Sequence, residues 1–513
     1  MSKLSRGRRL GSGAYGIVYD ASDGRGQSLA VKRVLVDDTN HFIGSVREAD
    51  IVSRFKHPHI VNTVVKYGLA FDTPLSPVSM DRTKDDTVSF VMEKAEENAH
   101  DYMKTQRTLV EIKKIFVHIL LGLEYMHAKG VSHQDIKPQN ILCFADGSFK
   151  IADLGLAYWN NMYGYQSPTV STSWYRAPEV ASPNGKYYHP IDLWSVGCML
   201  YEFIFGIPLL GHITEDNNHK IMQGYTSIIP GMNSNINWDM FWKKHHTYHV
   251  VGAITNQDYY NLRGLLEGLL TYDPTKRLSA TAALNHPVFA EFGTYIHNTR
   301  LMYIPGPDDP IAISTLPIAE RAFCVNAVNQ LIYHTDCGYV EDENRNDYRC
   351  LFHAVMLFDR VLLHTAHYDK PRYSQISPSN GLYWSMNGTY VRFMTCYYLS
   401  CKYFGLLKSP VNWNSLIGPD YKTGTEYQSL AEDFERYLVS EVCKYRIYQP
   451  TPLDIAGIYK IKLNKNEIWD LFSFYLMNNW NNATSDSILG AYMKLKNEKH
   501  AMVVDKVGKK RRH

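Results

Sequence analysis

No Cys-x-x-Cys pair occurs in this chain, so the ligand spacing of structural zinc sites is missing. The eight cysteines (Cys143, Cys198, Cys324, Cys337, Cys350, Cys396, Cys401 and Cys443) are scattered, several within apolar runs. They read as reduced core residues of an intracellular protein. No apolar run approaches the roughly 18 residues of a membrane span. Met1 to Arg9 is polar and basic with no apolar core behind it, which excludes a secretory signal. One-sided charge is lacking too. The 54 Lys and Arg against 51 Asp and Glu leave a formal charge of +3, so bulk charge implies neither a nucleic-acid nor a membrane partner.

What is present is ordinary globular composition, 45% hydrophobic and 20% charged, over 513 residues. That length accommodates two to four domains of roughly 100–250 residues each.

The chemistry-bearing stretch is Val131-Ser-His-Gln-Asp-Ile-Lys-Pro-Gln-Asn140. Asp135 can orient an attacking hydroxyl, Lys137 can neutralise phosphate charge, and Asn140 can hold a metal ion, which is what phosphoryl transfer needs. Upstream, Gly11, Gly13 and Gly16 form Gly-x-Gly-x-x-Gly with Val18 behind them. Glycines let backbone amides approach phosphate oxygens. The β-rich run Ile17, Val18, Tyr19 favours a hairpin over a Rossmann turn, and an ordinary tight turn stands beside the nucleotide reading. Lys32 lies in the apolar strand pattern Ser28 to Leu35 and needs an anionic partner, a carboxylate or nucleotide phosphates. A helical pattern runs from about Ser45 and carries Glu48, which by periodicity alone is a solvated helix residue. Val88 to Ala95 reads as a strand ending in a polar turn, and Ile112 to Ala128 as a long buried helix.

These stretches resemble protein kinases. His133-Gln-Asp is similar to the catalytic loop with Gln134 in place of Arg, and Asp153-Leu-Gly is a Leu-for-Phe form of Asp-Phe-Gly. Trp174-Tyr-Arg-Ala-Pro-Glu179, Asp192-Leu-Trp-Ser-Val-Gly197 and Tyr272-Asp-Pro-Thr-Lys-Arg-Leu278 follow in the family's order. The wording, including His57-Pro-His-Ile-Val61, is closest to the cyclin-dependent kinases. The resemblance implies a bilobal α+β kinase fold, with a β-rich N-lobe and a helical C-lobe. It implies ATP and Mg2+ as cofactors and serine or threonine in protein substrates, with proline preferred after the acceptor.

By the same resemblance Asp135, Lys137, Lys32 and Glu48 are catalytic, and Asn140 and Asp153 hold metal. Leu10, Gly11, Gly13, Gly16, Val18, Ala30, Lys32, Met92, Glu93 and Ala95 contact ATP, with Met92 as gatekeeper. Thr172 marks serine/threonine specificity, Glu179 and Arg277 form a structural ion pair, and Asp192 braces the catalytic loop. Relatives dock an activation-loop phosphate on three arginines. The counterparts here are Gln134, Arg47 and Tyr158, with Ser167 near the phosphosite, so activity is expected not to depend on that phosphate. Tyr15 is either an inhibitory phosphosite or a packing residue.

The kinase pattern ends near His286-Pro-Val-Phe289, and a Pro/Gly segment follows. Long helical patterns then dominate, with Tyr348 to His364 apolar nearly all round, as a central bundle helix would be. Gly405 suits a helix C-cap, and Thr425-x-x-Gln428 a capping box. Asp359-Arg360, Ser400-Cys-Lys-Tyr403 and Glu435 resemble the cyclin box, in which Lys402 and Glu435 would grip the segment Phe42 to Glu48. The substrate-docking patch of cyclins is poorly matched at Glu320-Arg-Ala-Phe-Cys324. The expected organisation is a kinase domain at 1–290, a linker at 291–316, a cyclin-box-like all-α domain at 317–455 and a partial helical extension with a basic tail at 456–513. Lys509-Lys-Arg-Arg512 reads either as a nuclear import signal or as a solvated basic end, leaving a cytoplasmic or nuclear location open. A partner-binding helical module and a catalytically silent scaffold are the rival readings.

Overall fold

A computed structural model describes residues 5–13, 16–22, 25–35, 47–48, 50–52, 54–62, 69–71, 87–159, 171–182, 189–213, 217–230, 237–244, 248–303, 348–367, 386–403, 434–435, 438, 451–452, 461, 463, 465–476, 478, 480–481 and 483–510. Tyr15, Ser167, Gly405, the Thr425 capping box, the Glu320–Cys324 stretch, Arg511 and Arg512 lie outside the described residues, as does the side chain of Lys402. The described residues fall into two compact units, one ending at residue 303 and one beginning at residue 348.

The first unit opens on strands β1 (Ser5–Gly13), β2 (Gly16–Ser22), β3 (Ser28–Leu35), β4 (Leu69–Phe71) and β5 (Thr87–Glu93), an antiparallel sheet ordered β1-β2-β3-β5-β4. The register pairs Val18 with Lys32, Lys32 with Phe90 and Ala30 with Met92. Directly opposed residues share a face. Val18, Ala30, Lys32, Phe90 and Met92 therefore line one side, while Ala21, Leu29, Val31 and Val91 pack on the other. Alternation along β3 thus places the lysine opposite the apolar core.

After the short β6 (Glu97–Asn98), α1 (Ala99–Tyr102) and β7 (Arg107–Thr108) comes α2 (Leu109–Ala128), the central helix of this unit. It begins three residues before the apolar pattern does. Thr108 Oγ1 accepts from the Glu111 amide at 3.3 Å, and Glu111 returns the bond to the Thr108 amide at 2.8 Å. This capping box satisfies otherwise orphaned amides. Three short pairings follow: β8 (Val131–Ser132) with β11 (Tyr158–Trp159), and β9 (Ile141–Cys143) with both β6 and β10 (Phe149–Ile151). Helices α3 (Pro178–Ala181), α4 (Pro190–Phe205), α5 (Asn218–Ile228), α6 (Trp238–Lys244), α7 (Asn256–Leu269), α8 (Ala280–Leu284) and α9 (Gly293–Met302) complete the unit, with β12 (Val250–Val251) beside β7. The β-rich N-lobe and helical C-lobe are those the sequence implies.

The ordered unit runs past residue 290. Helix α9 occupies part of the expected 291–316 linker and is tied back to the unit. Arg300 donates from two nitrogens to the Glu124 carboxylate at 2.8 Å each, and the Tyr295 hydroxyl lies 2.6 Å from His59 Nε2. His59 stacks on His118 with centroids 4.0 Å apart, and His57 packs against the Tyr303 ring.

In the second unit, α10 (Tyr348–His367) packs against α11 (Met386–Tyr403) and α12 (Lys465–Leu476), and α12 packs against α13 (Ser485–Lys510). Residues 352–359 of α10 are all buried, as expected of a helix ringed by others. Phe352 meets Phe472 edge-on at 4.7 Å, and Phe358 meets Phe393. The Tyr475 hydroxyl donates to Asp359 Oδ2 at 2.6 Å, and His353 Nδ1 lies 2.9 Å from Ser400 Oγ. Glu435 is buried, as are Phe434 and Leu438. Cys143, Cys198, Cys350, Cys396 and Cys401 are buried. Among the described residues no helix is long and apolar enough to cross a membrane.

Candidate active site

Lys32 projects from β3 into a nearly closed set of charges. Its Nζ lies 2.7 Å from Glu48 Oε1, 3.0 Å from Glu48 Oε2 and 2.8 Å from Asp153 Oδ1. Burial alone would pull the ammonium pKa down. The Glu48 and Asp153 carboxylates outweigh it and hold the value above the ordinary lysine range. Burial pushes Glu48 up, against the pull of Lys32. Burial also opposes ionisation of Asp153, but Lys32 and then His133 and Lys137 prevail and leave it below the usual carboxylate value. Three positions far apart in sequence thus meet in one ion-pair network.

Beside it lies the catalytic-loop stretch. Asp135 is buried, and its Oδ1 accepts from the Thr172 amide at 3.0 Å and the Thr172 hydroxyl at 2.9 Å. Lys137 Nζ is 2.7 Å from Asp135 Oδ2 and 2.9 Å from Thr172 Oγ1. Asn140 Nδ2 donates to the Asp135 carbonyl at 2.8 Å and to Oδ2 at 3.0 Å. The bond that Thr172 makes shows how a hydroxyl donor sits on Asp135.

The loop holds this shape through contacts at its base. His133 Nε2 lies 2.9 Å from the Ala152 carbonyl, and His133 Nδ1 accepts from the Asp135 amide, which requires the proton on Nε2. Asp192 accepts from the amides of His133 and Gln134 at 2.9 and 2.8 Å and pairs with His127 Nε2 at 2.8 Å. Burial raises its pKa, but the His127 contact and the loop amides outweigh that and keep Asp192 ionised. Gln134 and Asp153 both have left-handed backbones, at φ 68° and 61°. Arg277 grips Glu179 with two nitrogens at 2.6 and 2.9 Å and donates to the carbonyls of Thr271, Tyr272 and Pro190.

Under the sheet, Val61, Phe144 and Ala152 form an apolar cluster joined by Met92, Ala95 and Leu142. Val18 and Ala30 lie on the same face of the sheet as Met92, which belongs to this cluster. Sequence reasoning passed over Leu142, Val61 and Phe144. Leu142 carries a signal, being the second apolar residue after Asn140 on β9. The Glu93 side chain is taken up by Lys150 Nζ at 2.5 Å and by the Asn62 amide, so only its backbone faces outward tasks. Leu10 is exposed, on β1. The glycine stretch is a hairpin, closing with Gly13 opposite Gly16. Gly16 has φ 125°, and a Cβ there would come within 2.2 Å of the Arg33 carbonyl oxygen, so no other residue fits.

For a magnesium ion, the ionised Asp153 and the Asn140 amide oxygen are suitable hard donors. Asn140 Nδ2 is committed to Asp135, which leaves the oxygen as the free end of the amide. Among the described residues no group of three or more His, Cys, Asp or Glu is placed to hold a metal. Magnesium held by one carboxylate, an amide, water and phosphate needs no such group.

The family model described as protein kinase domain matches residues 4–289. Cyclin-dependent kinase 4 of Xenopus laevis is 33% identical over 313 residues, covering 57% of this chain and 93% of that protein. Cyclin-dependent kinase G-2 of Oryza sativa subsp. indica is 31% identical over 314 residues, covering 57% of this chain and 42% of that protein. Serine/threonine-protein kinase PITSLRE of Drosophila melanogaster is 31% identical over 326 residues, 60% of this chain and 32% of that protein. The chain thus spans about two fifths of the rice relative's length.

Proposed function

The chain belongs to the protein kinase family, with a domain of the cyclin-dependent type, and from that premise we propose that it transfers the γ-phosphoryl group of ATP to serine or threonine hydroxyls of proteins. The observation that carries this reading is Lys32 bound at once to Glu48 and Asp153. A buried ammonium so held is positioned to receive nucleotide phosphates. Asp135 orients the acceptor hydroxyl, as it does that of Thr172, and Lys137 neutralises charge on the transferring group. In this reading adenine is held by Val18, Ala30 and Leu142, with Met92 as gatekeeper and the backbone of Glu93 to Ala95 as hinge; the support is that Val18, Ala30 and Met92 share one sheet face and that Met92, Ala95 and Leu142 join one apolar cluster. Asp153 and Asn140 would hold magnesium, which when bound would supply positive charge against the nucleotide phosphates. Intact Asp135, Asn140 and Asp153 argue against a silent scaffold.

A preference for proline after the acceptor is supported by Ser171. It is left-handed at φ 67°, and its carbonyl accepts from Arg176 Nη2 at 2.8 Å. That carbonyl, next to Thr172, has its acceptor occupied, and a substrate proline has no N–H to leave unpaired. Independence from an activation-loop phosphate is supported by Gln134 and Tyr158 at two of the three arginine positions. One guanidinium, that of the half-buried Arg47, remains of the three.

The helical unit acts, in this reading, as the kinase's own cyclin. Its support is the buried helix α10 with Asp359 anchored by Tyr475, the Ser400–Tyr403 end of α11, and Glu435. Covalent attachment replaces bimolecular association with an effective concentration of order millimolar. The test is ATP-dependent phosphorylation of Ser-Pro and Ser-Ala peptides by the full chain and by residues 1–303, with Asp135→Asn as control. Activity confined to the full chain and to Ser-Pro supports the reading. Equal activity of the two chains refutes cis activation and leaves α10 to α13 as a module for some other partner.

A further inference from the structure

Two guanidiniums of the Glu48 helix lie over two consecutive aromatic rings. The Arg47 guanidinium carbon is 5.5 Å from the Tyr158 ring centroid, and that of Arg54 is 5.4 Å from the Trp159 centroid. Both distances fall within the range of cation–π attraction. Residues 47–48 and 50–52 are helical, and the Arg54 amide bonds the Ile51 carbonyl at 3.1 Å, so both arginines belong to the element that delivers Glu48 to Lys32. Arg54 is buried, and its Nε pairs with the buried Asp50 at 2.6 Å, one turn back. Tyr158 and Trp159 are themselves buried, at 8% and 4% exposure.

The rings are fixed by the catalytic loop. They constitute β11, in register with β8 as Tyr158 opposite Ser132 and Trp159 opposite Val131. β8 leads directly into His133 and Asp135. β11 also follows Asp153 by five residues, with the 3-10 turn Leu154–Leu156 between them. Two contact points on one short helix restrain both its position and its rotation, which a single contact cannot do.

We propose that Tyr158 and Trp159 form an aromatic clip that seats the Glu48 helix through Arg47 and Arg54, doing without a phosphate what a phosphate clamp does in phosphorylated kinases. The inference rests on the kinase reading above and deepens it by naming the regulation of that site. An aromatic ring offers a phosphate no positive charge, whereas its face attracts a guanidinium without any modification. The coupling is therefore present whenever the segment is folded, and a signal has nothing to add. Tyr158 and Trp159 are positioning residues, acting on ATP through Arg47, Glu48 and Lys32.

The experiment uses the full chain with Tyr158→Ala, Tyr158→Phe, Arg47→Met and the Tyr158→Ala/Arg47→Met double variant. Initial rates at varied ATP and amide hydrogen exchange over residues 47–54 are the two readouts. Tyr158→Ala and Arg47→Met should each lower kcat/KM for ATP about 5- to 30-fold and speed exchange of residues 47–54 by a similar factor. The double variant should lose no more than the worse single one, because both remove the same contact. Tyr158→Phe keeps the ring face and should stay within about twofold of the parent in both readouts. Losses that multiply in the double variant, or exchange over 47–54 unchanged by Tyr158→Ala, overturn the clip. Arg47→Met preserves side-chain bulk, so its effect cannot be ascribed to a cavity. Hydrogen exchange needs neither ATP nor substrate, so a parent chain without kinase activity would refute the kinase reading while the exchange data still judged the clip.

Discussion

The Gln134 amide donates at 2.8 Å to Asp192 Oδ1 while Gln134 itself is held at φ 68°. A non-glycine residue in this region costs about 1–3 kcal/mol unless its surroundings impose it. Here Asp192 imposes it, since its other oxygen takes the neighbouring His133 amide. Asp192→Asn puts an NH2 where one loop amide needs an acceptor. Losing a bond to a charged group costs about 1.5–3 kcal/mol, so kcat should fall roughly 10- to 100-fold with little change in KM for ATP. Steady-state rates check this, and an unaltered kcat would show that the loop keeps its shape without Asp192.

Lys32→Met should abolish phosphoryl transfer and also destabilise the chain. It strands the Glu48 carboxylate in a buried site, and breaking a buried ion pair costs about 3–5 kcal/mol. Lys32→Met/Glu48→Gln removes both charges and should recover most of the melting midpoint without recovering activity. Calorimetry beside a kinase assay separates the two effects.

Arg277 is expected to serve stability rather than chemistry. Arg277→Lys cannot reproduce the two-pronged grip on Glu179 or the bonds to three carbonyls. The melting midpoint should drop by several degrees, while KM for ATP stays within about twofold. A large rise in KM at unchanged melting would place Arg277 in catalysis instead.

Stability should fall on mild acidification. Burial lowers His57 to about 3, His59 to about 4, His118 to about 2 and His189 to about 3. Each folded value lies below the unfolded one near 6.5, so the unfolded chain takes up protons first. These groups contribute their full stability above about pH 6.5 and lose it progressively below, down to about 4 for His59, about 3 for His57 and His189 and about 2 for His118. The loss is on the order of 1 kcal/mol per histidine per pH unit. Urea midpoints at pH 7.5, 6.5 and 5.5 test the slope. His118→Asn keeps an acceptor for the Phe149 amide and should flatten the curve.

The charged groups that meet at the candidate site were partly legible in the sequence, because phosphoryl transfer would demand particular groups at particular spacings. Asp135, Lys137 and Asn140 lie within six residues of one another, and Lys32 advertises itself as a lone charge in an apolar strand. Leu142, Val61 and Phe144 were not legible, since nothing in an apolar residue says which apolar partner it meets after folding. Thr108–Glu111 was readable and was overshadowed by the apolar period that starts at Ile112. Helix α9 was missed because prolines further on suggested a connector, whereas its attachment depends on long-range partners, Glu124 and His59. The pairing of Arg54 with Trp159 has no local signature at all.

The tie between His59 and Tyr295 spans 236 positions. At roughly 5–20 residues added per second, Tyr295 leaves the ribosome roughly 10–50 s after His59 does. Throughout that interval the stacked histidines lack their cover. A nascent chain halted before α9 would therefore carry every candidate catalytic residue yet lack the helix that covers these histidines.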